Sequence, residues 1–94
     1  SGRRIRGDRL TILYAPNGNE ESRLGISVHG VKRAVKRNRI KRIIREFFRL
    51  NRTFIRPASD IVFAVRDGFT PDSPGEIKNL VDRLVGGKKE ERRP

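Results

Sequence analysis

The chain of 94 residues has no cysteine, methionine or tryptophan, and glutamine is missing as well. Without cysteine there is no disulfide framework and no thiolate metal site. A single histidine, His29, excludes a cluster of imidazole ligands. No apolar run approaches the roughly 18 residues of a membrane-spanning helix, and no secretory signal is recognisable. These absences lead us to expect a soluble cytoplasmic protein with one small core. Because methionine is absent, Ser1-Gly2 reads as a processing or cloning remnant, with residues missing before it. The lack of Gln, Met and Cys beside abundant Arg and Ile hints at a thermophilic source. Acids are scarce too: 11 Asp or Glu face 23 Lys or Arg, for a formal charge of +12.

Such an excess calls for a polyanionic partner. Nucleic acid comes first, and an anionic membrane surface is the runner-up. The charge is concentrated. Between Lys32 and Arg56 stand eleven basic residues and one acid, Glu46, which is ten of the twelve net charges. The rest of the chain is close to balance.

The local pattern gives strands and helices in a definite order. Residues 10–14 (LTILY) alternate, with Leu10, Ile12 and Tyr14 on one face. Pro16-Asn17-Gly18-Asn19 signals a turn. Residues 23–28 (RLGISV) then resume the alternation, so the two segments are expected to form an antiparallel hairpin. Residues 3–6 offer a short additional edge strand. Residues 31–50 carry a long helix whose apolar stripe is Ile40, Ile43, Ile44, Phe47 and Phe48. Val31, Ala34 and Val35 fall out of phase with it, so either the helix begins near Val35 or its first turn packs elsewhere. Residues 60–66 (DIVFAVR) are apolar on both faces, which predicts a central strand. Ser73-Pro74-Gly75-Glu76 has the form of an N-cap, an N1 proline and a first-turn acid. A second helix with Ile77, Leu80, Val81, Leu84 and Val85 on its stripe is expected to stop at Gly86-Gly87.

The basic helix could be an ordinary solvated face. However, Lys41–Arg45 and Arg45–Arg49 repel at i,i+4 spacing, and arginine dominates. Arginine grips phosphate with a two-pronged fork, and each phosphate neutralised releases counterions. The candidate polyanion-binding residues are Lys32, Arg33, Lys36, Arg37, Asn38, Arg39, Lys41, Arg42 and Arg45. Asn38 is unfavourable inside a helix. It is either a plain surface residue or an amide that reads a base edge or orients its arginine neighbours. Tyr14 is either a core aromatic or, if exposed on a sheet, a stacking platform for an unpaired base. His29-Gly30 reads as a turn. Asp60, Asp67 and Asp72 lack the spacing of a metal or acid–base pair, so no catalytic residue and no metal ligand is assigned.

The run Arg37-Asn38-Arg39-Ile40-Lys41-Arg42, then Ile43-Ile44-Arg45-Glu46 and a Phe pair, resembles the signature helix of the protein subunit of bacterial ribonuclease P. Gly25-Ile26-Ser27-Val28 resembles the strand before it, and residues 60–66 the strand after it. The resemblance covers roughly residues 2–84. It implies an α+β fold: a two-layer α/β sandwich of about four strands with a left-handed β-α-β crossover, although right-handed crossovers prevail at about 98%. It implies a single RNA-binding domain over residues 1–87 that lacks the family's first helix, with residues 88–94 a flexible basic tail. The partners implied are a catalytic RNA subunit and precursor tRNA, whose 5′ leader the RNA removes with Mg²⁺ held mainly by the RNA. No cofactor bound by the protein alone, no membrane and no protein oligomer is required. The resemblance assigns the basic helix to the catalytic RNA and places Tyr14, Leu10 and Ile12 in a leader cleft.

Two departures stand out. The family's leader-facing helix would lie before the first residue, which implies a cleft short of one wall. His29-Gly30-Val31 replaces a Ser-Lys-Lys type run, so basic contacts there are lost or pass to Lys32 and Arg33. The residues by themselves leave room for other readings: a structural RNA-binding protein of ribosomal or chaperone type, a membrane-surface binder, or an independent nuclease.

Overall fold

The structure is a computed structural model and describes residues 2–91, with side chains over 2–85. Six elements follow one another: β1 (Arg3–Gly7), β2 (Leu10–Pro16), β3 (Arg23–His29), α1 (Ala34–Leu50), β4 (Ser59–Arg66) and α2 (Pro74–Glu91). The sheet order is β1-β2-β4-β3. β1 and β2 form an antiparallel hairpin in which Ile5 faces Ile12. β4 pairs antiparallel with β2 and parallel with β3.

The expected hairpin between β2 and β3 is therefore not formed, because β4 inserts between them. Its sequence explains why. A strand apolar on both sides gains most from a central position with a neighbour on each edge. The β3–α1–β4 segment is then a crossover between adjacent parallel strands.

Both helices pack on one face of the sheet. Ile5, Leu10, Ile12, Ile61, Phe63 and Val65 point into that layer and meet Ile40, Ile43, Ile44 and Phe47 of α1 and Ile77 and Val81 of α2. The stripe of α1 is the one expected from its spacing, with Phe48 half-buried at its margin. α1 begins at Ala34, and Ala34 and Val35 are both exposed. Val31 is buried, but from the approach segment and not from the helix. Phe54 adds a ring from the following loop, 5.2 Å from Phe47 and 6.1 Å from Phe63. Asn51 closes α1, its side-chain amide donating to the Phe47 carbonyl at 3.0 Å. The Arg56–Pro57 peptide beyond it is cis.

α2 starts as its sequence predicts: the Ser73 hydroxyl accepts the Glu76 N–H at 3.2 Å. It does not stop at Gly86-Gly87 but runs to Glu91. Glycine costs a formed helix about 1 kcal/mol relative to alanine, an amount that packed preceding turns can carry. Of the expected tail, residues 88–91 are helical and 92–94 lie outside the described residues. α2 crosses β1 closely at Gly7, where a Cβ would come within 2.8 Å of a Leu84 methyl.

Candidate nucleic-acid interface

The buried stripe of α1 leaves its opposite side to solvent. Asn38, Arg42, Arg45 and Arg49, spaced four, three and four residues apart, form its exposed ridge. The 17 residues of α1 make a rod about 25 Å long, enough to span several phosphates. Lys36 lies exposed beside the ridge, Lys41 is half-buried on its flank, and Lys32 and Arg33 are exposed just before the helix.

The basic residues divide into two groups by what they touch. Arg37 is half-buried, and its Nη1 donates to the Val31 carbonyl at 2.9 Å and to the Lys32 carbonyl at 3.1 Å. It therefore folds the approach segment back onto the first turn. Arg39 forms a two-pronged pair with Asp72, Nε to Oδ1 at 2.6 Å and Nη2 to Oδ2 at 3.1 Å. Arg49 pairs with Glu46 in the same forked way, and Arg52 reaches Glu21 at 3.4 Å. Among the described residues, the side chains of Lys32, Arg33, Lys36, Lys41, Arg42 and Arg45 have no hydrogen bond or ion pair. Six cations are thus left to an outside partner.

The pairs also shift proton affinities. The hydrogen bond from Arg39 holds the Asp72 carboxyl below the usual carboxylate range, and the same bond raises the Arg39 guanidinium. Glu46 is lowered by its hydrogen bond from Arg49 in the same way. Both carboxylates accordingly stay charged over the range in which RNA is handled.

The second surface is the sheet face that the helices leave uncovered. By register it carries Arg4 and Arg6 from β1, Thr11, Leu13 and Ala15 from β2, Asp60, Val62, Ala64 and Arg66 from β4, and Arg23, Gly25, Ser27 and His29 from β3. Uncharged side chains occupy its middle, and its margins carry cations and one acid, Asp60. A hollow of about 490 Å³ lies there, with Arg4, Arg6, Arg9, Arg66 and His29 around it and no acid in its lining. The Ser27 hydroxyl lies 2.7 Å from the His29 Nε2.

The residues expected for a cleft are placed as follows. Leu10 and Ile12 are 2% and 0% exposed, in the core. Tyr14 shares their side of the strand and packs against the same core, half-buried. Period-2 alternation places the three together, but it does not say which face the helices cover. The open face carries Thr11, Leu13 and Ala15 of the same strand. Arg4, Arg6 and Arg66 were not singled out from sequence, and His29 and Asp72 were read there only as a turn residue and as an acid without metal or acid–base spacing. For the first two a signal existed, since they flank the apolar Ile5 on an alternating strand.

Among the described residues, no group of three or more His, Cys, Asp or Glu could hold a metal ion. Among the described residues, no helix is long and apolar enough to cross a membrane.

Comparison with known proteins agrees with this geometry. The family described as Ribonuclease P matches residues 1–88. The Ribonuclease P protein component of Desulfotalea psychrophila is 57% identical over 86 residues, which is 90% of this chain and 72% of that protein. The RNase P protein of Staphylococcus aureus has a similar structure, with a TM-score of 0.73 at 30% identity over 94% of this chain and 82% of that one. The RNase P protein of Thermotoga maritima gives 0.67 at 30% identity, covering 88% and 84%. The parallel crossover, the uncovered sheet face and the basic ridge on α1 thus sit on a shared scaffold, and the chain belongs to the ribonuclease P protein family, as the protein component of a tRNA-processing ribonucleoprotein with an RNA subunit as its partner.

Proposed function

We propose that the exposed ridge of α1, with Lys32, Arg33, Lys36, Asn38, Lys41, Arg42 and Arg45, docks on the catalytic RNA subunit, and that the protein supplies no catalytic side chain. The observation that carries this reading is the group of six cations without protein partners in and before α1. Arg37 and Arg39 belong to the same surface but are held by the protein itself. The RNA performs the cleavage with Mg²⁺ that it holds itself. The protein lowers the Mg²⁺ required, because fixed cations do part of the screening.

The substrate is precursor tRNA. Its 5′ leader runs over the open sheet face, where Arg4, Arg6, Arg9, Arg66 and His29 surround a floor of uncharged side chains. Such a surface suits an extended single strand, with phosphates at the charged margin and bases over the floor. The protein works as a single copy on its RNA, in the cytoplasm.

Reconstitution tests this directly. The chain is added to the RNA subunit at low Mg²⁺ and leader removal from precursor tRNA is measured. Cleavage should rise with added protein, and Arg42→Ala/Arg45→Ala should require more protein for the same rise. Cleavage by the protein without the RNA subunit would refute a non-catalytic role.

A further inference from the structure

The pair between Arg39 and Asp72 joins segments 33 residues apart and ties the β4–α2 loop to the middle of α1. Asp72 is itself anchored. Its N–H donates to Glu76 Oε1 at 3.2 Å, and Glu76 is tied to the Ser73 cap. The start of α2 thus holds a carboxylate against a basic residue of α1.

The geometry leaves Arg39 three of its five N–H donors. Asp72 takes the Nε and one Nη2 hydrogen, so the two Nη1 hydrogens and the second Nη2 hydrogen remain on the outer edge. The Arg39 side chain is 55% exposed while paired, and among the described residues its remaining donors have no protein acceptor. An exposed ion pair adds little to stability, so stability alone is a weak reason for the arrangement. It also places a negative charge beside a surface that binds a polyanion, which by itself weakens RNA binding. What it gains is orientation. An unpaired arginine must give up rotamer freedom when it meets a phosphate, whereas Arg39 has given it up beforehand.

We infer that Asp72 is a positioning residue for RNA-subunit binding: it fixes the Arg39 guanidinium so that its outer edge meets a phosphate of the RNA. This rests on the reading of α1 as the RNA-subunit surface. The two effects of Asp72 have opposite signs, which makes the inference decidable. Removing a negative charge should tighten RNA binding, whereas releasing Arg39 should loosen it. Immobilising one such side chain is worth enough to change affinity by about three- to tenfold.

The test is the affinity of the chain for the RNA subunit at one moderate salt concentration, for Asp72→Asn, Arg39→Ala, the double variant and Arg42→Ala. We expect Asp72→Asn to weaken binding by about three- to tenfold. In the Arg39→Ala background the same change should weaken it no further. That coupling separates orientation of Arg39 from any general effect of Asp72 on its loop, which would persist without Arg39. Binding by Asp72→Asn as tight as the parent or tighter overturns the inference, as does a weakening that simply adds to that of Arg39→Ala. If Arg42→Ala weakens binding and Arg39→Ala does not, the inference fails while the α1 surface stands. If neither weakens it, the α1 surface fails and the inference with it.

Discussion

Phe47 stands where the layers of the molecule meet. It is 1% exposed, with the rings of Phe54 and Phe63 within 5.2 and 6.0 Å of its own. Truncating a ring so placed removes its burial and leaves a cavity between helix and sheet. Phe47→Ala should therefore cost about 3–5 kcal/mol, read from the urea midpoint at unchanged slope. The acidic partners of the α1 arginines make the opposite kind of contribution, small and dependent on pH. The carboxyls of Asp72 and Glu46 are both lowered by hydrogen bonds from arginine. A depressed carboxyl stabilises the fold above its unfolded-state pKa and loses that contribution as pH falls through its folded-state pKa. The parent should thus be slightly more stable than Asp72→Asn/Glu46→Gln at neutral pH. Urea midpoints taken at falling pH should converge once the carboxyls are protonated, and a difference that grew on acidification would refute this sign.

At the scale of elements, α2 depends on its first turn. Ser73 caps the N-terminus through Glu76, and Ser73→Ala should cost about 1 kcal/mol, measured in the same way. That cap, the proline after it and the apolar stripe were legible in sequence, because each is a local signal. So was the stripe of α1, since Ile40, Ile43, Ile44 and Phe47 repeat at helical spacing. The neighbour of β3 was not. Two alternating segments joined by a turn look like a hairpin, and the preference of β4 for the place between them is a non-local pairing. The same limit hid Asp72. Its role depends on Arg39, which is distant in sequence, whereas Glu46 and Arg49 meet within one turn. The face carrying Leu10, Ile12 and Tyr14 was read correctly as a set. Its coverage by the helices follows only from the assembled layers.

The whole molecule presents two basic surfaces on opposite sides of one sandwich: the α1 ridge above the helix layer and the arginine-rimmed hollow on the bare side of the sheet. On the proposed reading, these opposed surfaces hold two RNA segments at once, one from the RNA subunit and one from the substrate. Arg4→Ala/Arg6→Ala should accordingly weaken binding of precursor tRNA bearing a leader to the assembled complex, while leaving affinity for the RNA subunit alone unchanged. The central claim is that the α1 ridge meets the RNA subunit through phosphates. The most direct test is the salt dependence of that affinity for the parent and for Arg42→Ala/Arg45→Ala. Two lost phosphate contacts should flatten the slope of log affinity against log salt by roughly 1.4–1.8 and weaken binding at every salt concentration below the crossover. An unchanged slope and unchanged affinity would contradict the account.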